Sequence, residues 1–352
     1  MKGVVLSGGS GTRLRPITYS IAKQLVPVAG APVLFHGLRE LAAAGIEEVA
    51  LIVSPETGDQ VRAAIEEAGD LGIRATFIVQ SEPKGLAHAL RCALPFLDGD
   101  DCVMYLGDNL VDGGVRAAVD GFRRTESSCQ VLVAHVDHPE AFGVVEVDAA
   151  GGVLRLVEKP KVPQSNLAII GVYVFDRHIA QAVEAIEPSW RGEYEITDAI
   201  QHLVDSGRPV GATVLESWWK DTGRKEDILD ANRIVLGGLQ ASIEGELVAC
   251  TVEGPVSIEA GSRLVDCTLI GPVIVGRGVE ARNARIGPNV AIDRDCRIEG
   301  GSIVDTVVMW GSEIVGWDIV DSLIGPESQM RPPAPTGAVS LTLGQRTMLG
   351  AD

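Results

Sequence analysis

Leu6-Ser7-Gly8-Gly9-Ser10-Gly11-Thr12-Arg13-Leu14-Arg15-Pro16 follows an apolar run that starts almost at the first residue. From Gly8 to Thr12, three glycines and two small hydroxyl side chains let backbone N–H groups converge on anionic oxygens without interference from Cβ atoms. Arg13 and Arg15 add fixed positive charge. A strand emptying into such a loop reads as the first turn of an α/β fold that holds a triphosphate. Spacing excludes the two commonest loops of this kind. No GxxxxGK followed by Ser or Thr occurs, so this is not a P-loop. A dinucleotide fingerprint laid on Gly9-Ser10-Gly11 puts its third glycine on Leu14, and no acid lies in Val28 to Pro32, where the ribose-binding carboxylate belongs.

Outward from the loop, β-rich runs alternate with helical patterns to about residue 235, which predicts a mostly parallel, doubly wound, Rossmann-like sheet with helices on both faces. Strands are expected at Gly3 to Leu6, Val49 to Val53, Ala75 to Val79, Cys102 to Leu106, Gln130 to His135, Leu167 to Phe175 and Thr213 to Trp218. Helices are expected at Pro32 to Ala44, Gly58 to Ala68, Leu86 to Leu94, Gly114 to Arg124, Ile179 to Ile186, Ile196 to Ser206 and Lys225 to Leu236. Ligands of open sheets bind beyond the carboxyl ends of strands, so polar residues there are candidates for chemistry.

From about Val252 helical periodicity disappears and aliphatic residues recur every six positions: Ile258, Leu264, Ile270, then Ile286, Ile292, Ile298, Val304, then Val308, Ile314, Val320. A hexapeptide period signals a β-helix, about four coils of roughly eighteen residues. The expected organisation is a catalytic domain at 1–236, a linker at 237–251, a hexapeptide-repeat β-helix at 252–325 and an irregular tail at 326–352 that contains Arg331-Pro332-Pro333-Ala334-Pro335.

With 352 residues, 46% hydrophobic and 22% charged, the composition is that of a globular protein of two domains. A formal charge of −18 argues against nucleic acid or an anionic membrane as partner, since either would be repelled at long range. An anionic substrate must then be drawn in by a local basic pocket. No secretory leader pattern opens the chain and no apolar run approaches membrane-spanning length, so a cytoplasmic location is expected. Cysteines 92, 102, 129, 250, 267 and 296 show no CxxC spacing and read as reduced structural thiols.

Asp108 lies in Met104-Tyr105-Leu106-Gly107-Asp108-Asn109 and Asp221 in Trp218-Trp219-Lys220-Asp221-Thr222-Gly223, each just after a strand-like run. Either alone reads as a cap or turn residue. Together, beside a phosphate loop, they suit Mg²⁺, a hard ion that takes one or two carboxylates plus phosphate oxygens. Lys23, Lys159 and Arg191 each interrupt or border an apolar, proline-marked segment, where a purely solvated cation would need no such local rigidity.

LSGGSGTRLRP, AKQLVPV, PKGLAHAL, YLGDN, FGVVE, VEKP, RGEYEITDAI and WWKDTG follow one another in an order and spacing that resemble the sugar-nucleotide pyrophosphorylases, a family of nucleotidyltransferases. The likeness is greatest to the longer glucose-1-phosphate thymidylyltransferases, which carry a C-terminal left-handed β-helix, and it spans residues 1 to 236 motif by motif. It implies that Leu6, Gly8, Gly9, Gly11, Thr12 and Arg13 hold the nucleotide, with Lys23 on the same phosphate chain and Gln80 and Gly85 at the base. It also implies that Gly143, Glu158 and Tyr173 line a sugar pocket, that Lys159 and Arg191 bind the sugar phosphate, and that Asp108 and Asp221 hold Mg²⁺. Arg13, Lys23, Asp108, Lys159 and Asp221 would carry catalysis. Ser81-Glu82-Pro83-Lys84 before Gly85, and Trp219-Lys220 before Asp221, depart from the shorter form of the family.

The implied reaction is in-line attack of glucose 1-phosphate on the α-phosphorus of dTTP with loss of pyrophosphate; the alternative within the class is transfer from UTP or another nucleoside triphosphate to glucose 1-phosphate or a related sugar 1-phosphate. A phosphate monoester dianion is already a nucleophile near neutral pH, so no covalent nucleophile or general base is required. The resemblance further implies supply of dTDP-glucose to deoxysugar synthesis and a homo-oligomer. Two other classes are weaker. Hexapeptide acyltransferases use a histidine on the solenoid, and all six histidines here precede it. A non-catalytic sugar-nucleotide sensor of this fold would be expected to have lost a metal acid or a phosphate-binding cation, and none is missing. On the solenoid, Trp310 and Trp317 are candidates for a subunit contact or for packing over coil ends.

Overall fold

The apolar run ahead of the glycine loop forms β1 (Lys2–Ser7), buried from Gly3 onward. The computed structural model describes residues 1–149, 151–332 and 335–350. The further strands of the first 221 residues are β2 (Pro27–Val28), β3 (Ala31–Pro32), β4 (Glu48–Val53), β5 (Arg74–Val79), β6 (Cys102–Leu106) and β7 (Asn109–Val111). They continue as β8 (Cys129–His135), β9 (Gly143–Val147), β10 (Val153–Glu158), β11 (Leu167–Phe175), β12 (Val210–Val214) and β13 (Trp219–Asp221). The helices are α1 (Val33–Ala43), α2 (Gly58–Ala68), α3 (Leu86–Leu97), α4 (Gly114–Thr125), α5 (Ile179–Ala185), α6 (Ile196–Asp205) and α7 (Lys225–Leu236).

The chain packs as two compact units. Met1–Gly9 with Leu34–Asp221 forms the first, and Ser10–Val33 with Thr222–Asp352 the second. This cuts across the expected 1–236 domain: the arginine-bearing half of the glycine loop and all of α7 belong with the solenoid.

In the first unit the sheet order is β10-β9-β11-β6-β1-β4-β5, with β8 paired to β11 and β12 to β8. The expected parallel sheet is present as β6, β1, β4 and β5. It carries an antiparallel half that the sequence pattern does not signal, because β11 runs opposite to β6, β8 and β9. All nine residues of β11 are buried, so its composition matches that of a parallel core strand and its direction is invisible in sequence. Helices cover both faces. Met104 packs among α3, α5 and α6 residues, while Tyr105, pointing the other way, fills the space over Gly37 of α1. Of the run expected at Thr213 to Trp218 only Thr213 and Val214 are strand. β12 begins at Val210 and ends at Val214, and β13 pairs with β7 in a separate ladder. Gly211 masks the start of β12, since a Cβ there would collide with the Gln130 side chain.

In the second unit three parallel ladders wind as a β-helix. One register steps from Glu246 to Arg263, Glu280 and Arg297 by 17 residues, to Glu313 and Gln329 by 16, and to Met348 by 19. Ladders therefore begin at Ser242, inside the expected linker, and reach Leu349, inside the expected irregular tail. Pro333 and Ala334 of that tail lie outside the described residues. The shorter coil corrects the six-residue period as well. Leu269, Ile303 and Ile319 point inward at 0%, 1% and 1% exposure, while Ile270, Val304 and Val320 are only half-buried. Corners are turned by Asp266, Asn283, Asp295, Asp305 and Asp321 at positive φ, a conformation that Asp and Asn tolerate better than other side chains.

α7 lies along this solenoid. Lys225 Nζ donates to Asp321 Oδ2 (3.1 Å) and to Ser340 Oγ (2.9 Å), and Arg233 Nε to Asp305 Oδ1 (2.8 Å). Asn232 then ties the 10–33 excursion in, accepting from Ala29 N–H (2.9 Å) and donating to the Asn289 carbonyl (3.2 Å). Of the two solenoid tryptophans, Trp317 is 7% exposed and donates to the Arg331 carbonyl, so it packs within the coil; half-buried Trp310 lies 5.7 Å from the Arg294 guanidinium.

Candidate active site

In the first unit, chemistry gathers where β1 and β6 end side by side. Leu6 pairs with Leu106, and Gly107 N–H donates to the Leu6 carbonyl at 2.9 Å. A Cβ on Gly107 would lie 2.8 Å from that same carbonyl oxygen, so only glycine lets the two strand ends close up. Gly8 and Gly9 therefore leave β1 directly beside the segment that carries Asp108. At the base of the loop Ser7 Oγ is buried with no hydrogen-bond partner among the described residues.

Asp108 and Asp221 belong to this corner together. β7 and β13 pair antiparallel with Asn109 opposite Asp221, and the Asn109 amide donates to Asp108 Oδ1 at 2.9 Å. Asn109 is held in turn: the Tyr105 hydroxyl donates to its carbonyl (2.7 Å), and Gly171 of β11 leaves room for its side chain. Gly171 has φ +74, and the β8–β11 register is irregular between Ile169 and Tyr173. Among the described residues no three His, Cys, Asp or Glu side chains converge. One carboxylate at the end of β13 and one in the turn just before its partner strand β7 are a donor set that suits a divalent ion finishing its shell with phosphate and water oxygens.

Gln80 and Gly85 are brought together with the loop. The Gln80 amide donates to the Gly85 carbonyl (3.2 Å) and lies 2.9 Å from His88 Nδ1, while its Oε1 stands 3.8 Å from the Cβ position of Gly8. Partial burial first, then Lys84 and Arg91, push the His88 pKa down and so favour the neutral imidazole beside Gln80. Gly85 has φ +99, and a Cβ there would lie 2.6 Å from the Tyr194 carbonyl.

A second cluster is built by the β9–β10 pair and the segment before α6. Gly143 faces Glu158 across the pair. Glu158 Oε1 stands 3.6 Å from Lys159 Nζ and 3.7 Å from Arg191 Nη1, and its Oε2 accepts from Thr197 Oγ1 at 3.3 Å. Arg191 is clamped by Glu193 (3.0 Å) and Glu195 (3.3 Å), and Ser189 Oγ donates to Glu195 at 2.9 Å. Burial raises the Glu195 pKa, with the Ser189 bond and Arg191 opposing it. Lys159 and Arg191 are thus held side by side at one carboxylate. Phe142 and Trp219 meet edge to face at 5.7 Å beside these residues in sequence. Tyr173 is 4% exposed in the core and stacked on Phe175 at 6.0 Å; burial first, then the Glu158 charge, push its pKa up. Asn109, Thr197, Glu193 and Glu195 escaped sequence reasoning; alternating acids after Arg191 in RGEYE are the signal that marks the last two.

In the second unit the loop continues through Gly11, whose φ of +59 and tight contact with Thr18 and Lys23 exclude a side chain. Thr18 Oγ1 donates to the Gly11 carbonyl at 2.7 Å. Thr12 opens a single turn that places Arg13, and the Arg13 guanidinium lies on Gly223, 2.8 Å from where a Cβ would be. Lys23 is 6% exposed, next to Gln24, whose Oε1 is buried without a partner among the described residues. A cavity of about 500 Å³ is lined by Arg13, Arg15, Arg224 and Lys225.

A doubly wound sheet with a glycine-rich first loop, two acids near the neighbouring strand end and two cations around one glutamate is the arrangement found here. Residues 2–237 match the family described as Nucleotidyl transferase, and the chain belongs to that family. It is 47% identical over 333 residues to a glucose-1-phosphate thymidylyltransferase of Streptomyces antibioticus, covering 94% of this chain and 93% of the relative. A glucose-1-phosphate thymidylyltransferase of Streptomyces griseus is 42% identical over 352 residues, covering 99% and 98%. Among solved structures, a Bacillus anthracis crystal structure assigned to glucose-1-phosphate thymidylyltransferase superposes with a TM-score of 0.62 at 32% identity, over 66% of this chain and 94% of that one. Nucleotide triphosphate and sugar phosphate are the substrates of this enzyme class. No helix among the described residues is long and apolar enough to cross a membrane.

Proposed function

We propose that this enzyme transfers a thymidylyl group from dTTP to glucose 1-phosphate, giving dTDP-glucose and pyrophosphate, with Mg²⁺ at Asp108 and Asp221. The observation that carries the reading is the β7–β13 ladder, which sets both acids beside the strand end from which the glycine loop departs. The likeness to the two Streptomyces enzymes over nearly the whole chain supports the choice of base and sugar.

Lys159 and Arg191 hold the incoming phosphate, and Glu158, which lies within 3.7 Å of both, lines the sugar pocket beside them. An oxygen of that phosphate attacks the α-phosphorus in line, and the pyrophosphate oxygen leaves from the opposite side. Loop amides from Gly8 to Gly11 and the charges of Arg13 and Lys23 neutralise the departing pyrophosphate. When bound, Mg²⁺ supplies charge neutralisation at the α-phosphate. Alignment and electrostatics suffice, because the nucleophile arrives already ionised.

A cytoplasmic location and a homo-oligomer belong to the same proposal. The six cysteines are all unpaired, and burial pushes the thiols of Cys102 and Cys296 up to about 12, which fits inert structural thiols. The test is an initial-rate matrix of dTTP, UTP, GTP, CTP and ATP against glucose, mannose, galactose and N-acetylglucosamine 1-phosphates with Mg²⁺. The dTTP and glucose 1-phosphate cell should dominate; a dominant UTP row would replace the base, and a blank matrix would remove the reaction.

A further inference from the structure

The solenoid's last coil reaches the segment that carries Arg13. Gly344 is buried, and a Cβ there would lie 3.2 Å from the Pro16 carbonyl oxygen and 3.3 Å from Pro16 Cβ. Its φ lies outside the left-handed region, so closeness to Pro16, and not backbone conformation, is what calls for glycine. On either side of this contact the two segments stand apart. One gap, of about 500 Å³, separates Thr342 from Arg13, Leu14 and Arg15; the other, of about 430 Å³, separates Pro16, Tyr19 and Ser20 from residues 343–347.

The coil side of the contact is rigid. Thr342 and Leu343 pair with Leu323 and Ile324, and the Gly344 carbonyl accepts from Ser328 Oγ (3.1 Å) and Thr347 Oγ1 (2.9 Å). Glu327 anchors the next turn through Gln345 (3.0 Å) and Arg346 (2.7 Å). The loop side is cross-linked within itself, because the Gly11 carbonyl accepts from both Thr18 Oγ1 and Leu14 N–H (2.9 Å). A push on Pro16 is therefore passed to the whole Gly11 to Thr18 turn, Arg13 included.

We propose that the last coil of the β-helix, through Gly344, positions the arginine-bearing half of the phosphate loop, so that the solenoid is a working part of the nucleotide site. This rests on the reading of Arg13 as a phosphate-binding residue. Gly344 acts through Pro16 and is a positioning residue; it touches no substrate.

The experiment compares full-length Gly344→Val, Gly344→Ala and Arg13→Ala with the wild type, by steady-state kinetics in both substrates and by thermal unfolding. Gly344→Val should raise the KM for the nucleoside triphosphate about tenfold and weaken product inhibition by pyrophosphate, with the KM for sugar 1-phosphate within about twofold. Gly344→Ala should do the same in smaller degree, and it decides the matter if the valine variant does not fold. An unchanged triphosphate KM in folded Gly344 variants, or equal loss toward both substrates, overturns the inference. Should Arg13→Ala itself leave the triphosphate KM unchanged, the reading of the loop fails instead, which keeps the two failures distinguishable.

Discussion

Asp221 stands opposite Asn109 across a three-residue antiparallel ladder, and the Asn109 amide donates to the neighbouring Asp108 carboxylate. Two acids far apart in sequence are thereby brought to the same end of this ladder, Asp221 within it and Asp108 in the turn that leads into it. Asp108→Asn and Asp221→Asn should each lower kcat by about 10²–10⁴-fold, the range expected when a charge-neutralising group is lost, while the melting temperature stays close to wild type. Pyrophosphate release measured against Mg²⁺ concentration checks this; near-normal rates in either variant would remove the metal assignment.

Lys159 and Arg191 share the Glu158 carboxylate in the absence of substrate. Lys159→Ala should raise the KM for sugar 1-phosphate by about 10–100-fold, about 1.4–2.8 kcal/mol, the scale of one charge-assisted bond to phosphate. The KM for the triphosphate should not follow it. Kinetics with each substrate varied in turn separate the two.

Gly171 opens the space that the Asn109 side chain fills and does so at φ +74. Gly171→Ala combines a left-handed backbone with a Cβ placed 2.9 Å from Asn109 Cγ, and should cost about 1–3 kcal/mol of stability. Urea unfolding should show it, together with a fall in kcat as Asn109 is displaced from Asp108.

Leu264, Ala281, Ile298, Ile314 and Met330 stack as one inward column of the solenoid, each at most 1% exposed. Ile314→Ala should cost about 2–5 kcal/mol, because neighbours held by ladder hydrogen bonds cannot collapse into the cavity. Denaturant unfolding followed by far-UV circular dichroism measures it.

Burial holds the Asp293 carboxyl above its ordinary value of 3.8, against the opposing Arg294 N–H, which donates to it at 2.6 Å. A raised folded-state pKa means that the native state binds this proton more tightly than the unfolded chain. The resulting stabilisation is full below the ordinary value and is lost as pH rises through the folded one. Asp293→Asn keeps an acceptor for Arg294 N–H and abolishes the loss. Its stability relative to wild type should therefore improve as pH rises above the ordinary value of 3.8 and level off once the folded-state carboxyl has ionised. A difference that does not vary with pH would exclude the effect.

The helices were legible in sequence to within a few residues, with α2 and α7 matched at both ends, because amphipathic period and end signals are local. β9 and β10 were not foreseen. Their alternation is broken by Glu146, Arg155 and the Gly151-Gly152 turn, and only pairing with each other and with β11 makes them strands. The coil length was misjudged for a related reason. A step of five between inward residues, as from Ile298 to Ile303, looks in sequence like a six-residue step displaced by one, until the partner coil sets the register.

The sequence by itself determined that a strand runs into a glycine-rich loop, that an α/β sheet follows, and that a stacked solenoid comes after it, since each is written in the spacing of near neighbours. Only the tertiary structure decided that β11 runs antiparallel, that Asn109, next to Asp108, pairs with Asp221, that Glu158 joins Lys159 to Arg191, and that residues 10–33 belong with the solenoid. Those outcomes depend on strand direction and register between segments distant along the chain, which are set by long-range hydrogen bonding and packing and leave no periodic trace in either partner alone.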